Sequence, residues 1–208
     1  MKKTITFLFA ISLTLCIFNS VEAAVLNFDD ITTEEYFHFT NYGGFTWDAK
    51  FAVASDSFYA TYGNTYGSPS GEYAASNDGA LSVSVTSPTD FNFCGAYFTG
   101  WAVDDEYWEQ DEESTATSIT VIGYNNSTFV GSETMSLSTN QYDWLATNFV
   151  GVDEIVFQTS GTPPDEPYWL MDNFTYNEPC TKPIPEPASI LLLGLGSLGI
   201  LGLRRYKK

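Results

Sequence analysis

Leu81-Ser82-Val83-Ser84-Val85 alternates apolar and polar residues with a period of two. That pattern suits a strand with one face on a core and one in water. Comparable runs, rich in β-branched and aromatic residues, predict strands at 25–28, 44–47, 51–54, 81–85, 91–99, 118–124, 128–136, 144–150, 154–158 and 169–176. Gly, Asn, Asp, Ser and Pro punctuate them. Tyr124-Asn125-Asn126-Ser127 lies between two such runs and reads as a tight hairpin, because Asn tolerates positive φ. No repeat of 20–50 residues and no long amphipathic helix interrupts the series. The expected fold is all-β, an antiparallel sandwich or jelly roll.

The two ends have a different pattern. Residues 1–23 begin with Lys2 and Lys3, continue through an apolar run from Ile5 to Phe18, and close on Val21-Glu22-Ala23. Those are the three parts of a secretory signal peptide, and the apolar run is short for a membrane span. Cys16 follows Leu15, a poor lipoprotein context. At the other end, prolines 183, 185 and 187 bar a helix until Ala188. From there an apolar helix to Leu203 would be ~24 Å long at ~1.5 Å per residue. It would cross a bilayer as a single transmembrane helix, with Arg204, Arg205, Lys207 and Lys208 held at the cytoplasmic face.

Pro185-Glu186-Pro187, a Gly/Leu-rich span and Arg204-Arg205 together resemble the PEP-CTERM sorting signal of exopolysaccharide-producing Gram-negative bacteria. The resemblance implies that the chain is a substrate of an exosortase, anchored in the inner membrane as a precursor and then delivered to the surface or beyond. Signal peptidase would be the other processing enzyme. The chain then divides into a signal peptide (1–23), a β-sandwich ectodomain (24–182) and a sorting tail (183–208). The body also resembles the β-sandwich ectodomains found ahead of such tails, through Leu26-Asn27-Phe28-Asp29-Asp30 at its start and Trp169-Leu170-Met171-Asp172-Asn173-Phe174 at its end. That likeness implies that the first and last strands lie side by side.

Charge narrows the function. Between residues 24 and 184 two lysines face 24 acids, a formal charge of −22. Such a surface repels phosphate backbones and anionic lipids, which excludes nucleic-acid binding. There is one histidine, His38, and no CxxC or HExxH motif, so zinc chemistry and His-assisted nucleophilic hydrolysis are disfavoured. Cys94 and Cys180 form an even pair in an exported body; a disulfide closing so long a loop would contribute about 4 kcal/mol.

Strand parity places Asp172 on the face of Leu170, Phe174 and Tyr176, and Asp30 on the face of Leu26 and Phe28. An inward carboxylate needs a partner. Either calcium, with Asp30 and Asp172 as ligands, or the capping of backbone N–H groups meets the need. The run 104–113 holds seven acids around Tyr107 and Trp108 without EF-hand spacing, and reads as a solvated surface loop. Residues 57–76, rich in Gly, Ser and Tyr, also read as surface. Tyr62, Tyr66, Trp108 and Trp169 are candidates to stack on sugar rings, while Trp47, Trp101 and Trp144 are expected in the core. A pair such as Asp104 and Glu109 has the chemistry of a glycosidase couple but no defined separation. The expected role is therefore non-catalytic: structural or adhesive, in contact with exopolysaccharide. A carbohydrate-binding module and a glycan hydrolase or lyase are the alternatives.

Overall fold

The computed structural model describes residues 24–64, 66–103, 114–162, 167–177 and 180. The expected signal peptide, the sorting tail with Pro185, Glu186, Pro187, Arg204 and Arg205, and the acidic run with Asp104, Trp108 and Glu109 lie outside the described residues. Among the described residues no helix is long and apolar enough to cross a membrane.

The elements are β1 (Ala24–Leu26), β2 (Tyr36–His38), β3 (Asn41–Tyr42), β4 (Phe45–Trp47), β5 (Ala52–Ser55), α1 (Asp56–Thr61), β6 (Tyr73–Ser76), β7 (Ser82–Gly100), β8 (Thr115–Asn125), β9 (Thr128–Ser136), β10 (Asp143–Thr162) and β11 (Trp169–Tyr176). The strands pair in the order β2-β5-β6-β11-β7-β10-β8-β9, with β1 on β11 and the β3–β4 hairpin on β7. The pairings are antiparallel. First and last strands are neighbours, Leu26 opposite Phe174. Asn126 and Ser127 both take positive φ (46° and 62°) in the two-residue turn between β8 and β9, as the sequence predicts.

Where the sequence predicts pairs of separate strands, at 81–85 with 91–99 and at 144–150 with 154–158, there is one long strand each, of 19 and 20 residues. Both bend instead of breaking. In β10 the register against β7 shifts three times between Ala146 and Glu154, where Asn148 (φ 54°) and Gly151 (φ 65°) adopt left-handed backbone. A bulge turns a strand without ending its pairing, so turn-forming residues there signal a corner. The result is two layers joined by β7 and β10. Trp47, Val85, Ile155 and Phe157 from one layer meet Val53, Phe93, Trp169 and Phe174 from the other. Phe157 and Trp169 ring centroids are 5.6 Å apart, and those of Trp47 and Phe174 5.3 Å. Each buried aromatic of this kind contributes roughly 1.5–3 kcal/mol by burial, and edge-to-face geometry adds about 1.

A second, smaller cluster forms on the outer face of β5, β6 and β11. Ala54, Ala74 and Leu170 pack there against Tyr59 and Trp101. This corrects the reading of residues 57–76 as a surface loop: the segment supplies most of α1, then β6, and Tyr59 is 1 % exposed. The Ser55 hydroxyl accepts from Phe58 N–H (3.2 Å), and Asp56 sits in the first turn of α1. Six residues are too few for a stable isolated helix. Burial of Tyr59, whose hydroxyl donates to the Ala74 carbonyl (2.9 Å), holds it in place. Ala74, Ala75 and Ser76 carry a weak strand signal because they are small, and small residues let this cover sit close. Trp47 and Trp101 are buried as expected, whereas Trp144 is only half-buried, against Tyr97. Cys94 of β7 and Cys180 form a disulfide with Cα atoms 4.7 Å apart.

Candidate functional site

The chain reverses after β6 through Asn77-Asp78-Gly79-Ala80. Asp78 (φ 44°) and Gly79 (φ 72°) both take left-handed backbone, and Ala80 N–H donates to the Asn77 carbonyl (2.9 Å). Two successive positive φ values mark a turn of the I′ kind, which an Asp-Gly pair favours. Asn77 anchors it. Its buried amide donates to Ala80 and Pro167 carbonyls (2.7 Å each), and its oxygen accepts from Trp169 N–H (3.0 Å). The turn is thereby fixed to the start of β11.

Asp78 leaves that turn toward β2. Tyr36 hydroxyl donates to its Oδ1 (2.9 Å), Lys50 Nζ lies 3.6 Å and His38 Nε2 3.9 Å from its Oδ2. Burial first, and then the charge of Asp78, push the Tyr36 phenol well above its usual range. It therefore stays a donor across the physiological range. With Lys50 60 % exposed, the ion pair positions the carboxylate but contributes at most about 1 kcal/mol.

Tyr36, His38 and Asp78 of this corner line a cleft of about 350 Å³. Its walls come from four separate stretches of chain: Tyr36 and His38 of β2, Phe58 and Tyr62 at α1, Trp101 and Val103 beyond β7, and Tyr168 before β11. Ring centroids of Tyr36 and Phe58 are 5.1 Å apart, of Phe58 and Tyr62 4.9 Å, and of Trp101 and Tyr168 5.5 Å. Trp101 ties the walls together, its indole N–H donating to the Tyr62 carbonyl (2.8 Å) and its backbone N–H to the Tyr168 carbonyl (3.0 Å). Chemically, the cleft offers apolar ring faces beside a carboxylate and an imidazole.

Of the four aromatics the sequence pointed to, Tyr62 lines the cleft. Tyr66 does not; it is half-buried, with its hydroxyl 2.6 Å from Thr99 Oγ1. Trp169 is a correction: it is fully buried between the layers, its indole N–H donating to Thr159 Oγ1 (2.7 Å), so no ring face is open to a sugar. Trp108 lies outside the described residues. Tyr36, Phe58, Trp101, Tyr168 and Asp78 were missed. Only the Asp78-Gly79 turn had a local signal, and it predicted a turn and not a site.

Asp172 and Asp30 are placed apart in character. Asp172 is fully buried, and burial pushes its carboxyl up to about 7 despite three donors. Ser70 N–H and hydroxyl reach Oδ2 (2.8 and 3.0 Å), and Asn173 N–H reaches Oδ1 (2.6 Å). Asn173 has φ 55°, and the β11–β7 register shifts between Asp172 and Thr175. This breaks the predicted parity. Leu170 packs on the α1 side, while Phe174 packs between the layers. Asp30 is exposed and accepts from the Tyr42 hydroxyl (2.6 Å). It is Asp29 whose charge reaches Asp172, and Asp29 Oδ1 also accepts from Glu72 and Tyr73 N–H (2.8 and 3.2 Å). Both act as backbone caps of the segment over the outer face. Among the described residues no group of three or more His, Cys, Asp or Glu is placed to hold a metal ion.

Residues 183–205 match the model of the PEP-CTERM protein-sorting motif. The chain thus carries a PEP-CTERM sorting motif behind a β-sandwich ectodomain, and that motif indicates a protein exported and sorted from a membrane-anchored precursor. No curated protein matches it. Among solved structures it is similar to TmCBM61 in complex with β-1,4-galactotriose, at 12% identity and a TM-score of 0.37, over 64% of this chain and 86% of that one.

Proposed function

We propose that this exported protein is a non-catalytic, adhesive component of the cell surface or matrix that holds an extracellular glycan in the aromatic cleft. The observation supporting this is the convergence of Tyr36, Phe58, Tyr62, Trp101 and Tyr168 on one recess that Asp78 also lines. Aromatic faces suit the apolar C–H faces of sugar rings, and a carboxylate accepts from their hydroxyls. The host's exopolysaccharide is the natural ligand for a protein sorted by this tail, reached after removal of the signal peptide and processing by an exosortase.

Tryptophan fluorescence of the full-length protein, held in a detergent without a sugar headgroup, tests the reading. Trp101 lies in the cleft wall, so host polysaccharide should change its emission saturably. Tyr62→Ala, which removes a half-exposed ring whose side chain packs on Phe58, should weaken the apparent affinity about tenfold, equivalent to ~1.4 kcal/mol. An unchanged affinity in that variant would refute the cleft as the site. Release of reducing ends from the polysaccharide would refute the non-catalytic role.

A further inference from the structure

The chain leaves the sandwich at the end opposite the cleft. β11 starts next to Tyr168, a cleft-wall residue, and runs to Tyr176 opposite Phe93, where β7 and β10 turn their corner. Asn177 is then clamped to β7: its N–H donates to the Asn92 carbonyl (2.8 Å), and its Oδ1 accepts from Asn92 N–H (2.9 Å). Cys180 is held to Cys94, and the sorting motif begins at residue 183. Seven residues, 181–187, separate Cys180 from the apolar run that starts at Ala188. Fully extended they span no more than about 25 Å. So short a tether keeps this end of the body beside the membrane that anchors the precursor.

Large apolar side chains stand exposed at the same end. Val150 is 70 % exposed and Phe129 60 %, with Val130 exposed beside it in the chain. Hydrogen bonds tie them to the exit. Asn92 Oδ1 accepts from Gly151 N–H (3.0 Å), and Asn125 Nδ2 donates to the Gly151 carbonyl, which fixes the β8–β9 hairpin to the corner of β10. Phe149 fills the interior beside Gly123 and Gly131, and Val150 is left outside. Asp153 is turned onto the hairpin, its Oδ2 accepting from Asn126 N–H (2.8 Å). Asp90, next to Phe91, is exposed, so this end fits zwitterionic headgroups better than anionic ones.

We propose that Val150, Phe129 and Val130 seat this end of the sandwich in the headgroup region of the lipid surface that anchors the precursor, turning the cleft outward. Three side chains hold a free protein to lipid only weakly. With the tail in place the contact is intramolecular, and a modest affinity suffices.

The experiment places the full-length protein in phosphatidylcholine vesicles with brominated acyl chains, which quench tryptophans that reach them. Val150→Trp and, separately, Phe129→Trp each add one reporter at the proposed contact. Leu81→Trp adds one at an exposed position three residues after the cleft residue Asp78. The emission added at 150 and 129 should be lost in brominated relative to unbrominated vesicles, and that added at 81 should persist. No quenching at 150 and 129, or equal quenching at 81, overturns the orientation. Emission at 150 or 129 that follows protein density in the bilayer and ignores bromine also overturns it, because a second copy then covers this end. Each of these outcomes leaves the glycan reading standing, since Tyr62→Ala tests that separately.

Discussion

Asp172 couples the cover over the outer sheet face to pH, and the size of the effect follows from its surroundings. Its carboxyl is fully buried, faces no cation among the described residues, and lies at about 7 in the fold against 3.8 when free. The folded state thus holds a proton that the unfolded chain releases, so stability is greatest below 3.8 and is lost as pH rises through 7. The full span is about 4 kcal/mol, of which about 2–3 falls between pH 5 and pH 8. For a domain of this size that is a fall in Tm of roughly 5–10 °C. Thermal or urea unfolding of the full-length protein followed by near-ultraviolet circular dichroism should show this slope. The Asp172→Asn variant separates it from general charge repulsion, because every other carboxylate remains. Asn can accept at one oxygen position only, so the variant loses about 1–3 kcal/mol at pH 5 from an unmatched donor. At pH 8 that loss should be largely offset, because the ionised carboxylate is gone. A difference between wild type and variant that stays constant from pH 5 to pH 8 would refute the reasoning.

Three further outcomes are expected. Breaking the Cys94–Cys180 disulfide by Cys94→Ser with Cys180→Ser frees a loop of 86 residues in separation, and should lower stability by about 4–5 kcal/mol; chemical unfolding with and without reductant checks it, reductant having no effect on the double variant. Asn77→Ala removes three hydrogen bonds, two of them buried, and should cost about 3 kcal/mol or more, with a loss of glycan affinity in the fraction that stays folded because Asp78 loses its anchor. Gly71→Ala places a Cβ against the Asp29 carboxylate at φ +60°, whereas Gly44→Ala at φ +85° meets open space; the first should destabilise by roughly 2–3 kcal/mol and the second by about 1, read as paired urea midpoints.

Alternation, turn chemistry and the terminal patterns were legible along the chain because each depends on near neighbours. The bounds of β9 and β11 match the predicted runs, and Asn126 does take the positive φ that places the hairpin. The sorting motif is a linear pattern read by another protein, so its residues carry it without any fold. Continuity was less visible. Whether Asn148 and Gly151 end a strand or bend it depends on pairing to Phe91 and Phe93 of β7, more than fifty residues away along the chain.

Tertiary structure alone decided which side chains meet. Parity assigned Asp172 the face of Phe174, but a left-handed Asn173 reversed the faces, and period-two reasoning fails at the first bulge. Trp169 was a candidate to stack on a sugar ring, yet it is a central element of the core. The cleft draws Tyr36, Phe58, Trp101 and Tyr168 from places far apart in sequence, joined because β2, β5, β6 and β11 are adjacent in the sheet. Strand order is set by long-range hydrogen bonding and burial, which no local pattern encodes. The sequence by itself therefore determined that this is an acidic, exported, all-β protein with a sorting tail, and the packing of its layers decided where its aromatics and its two described basic groups converge.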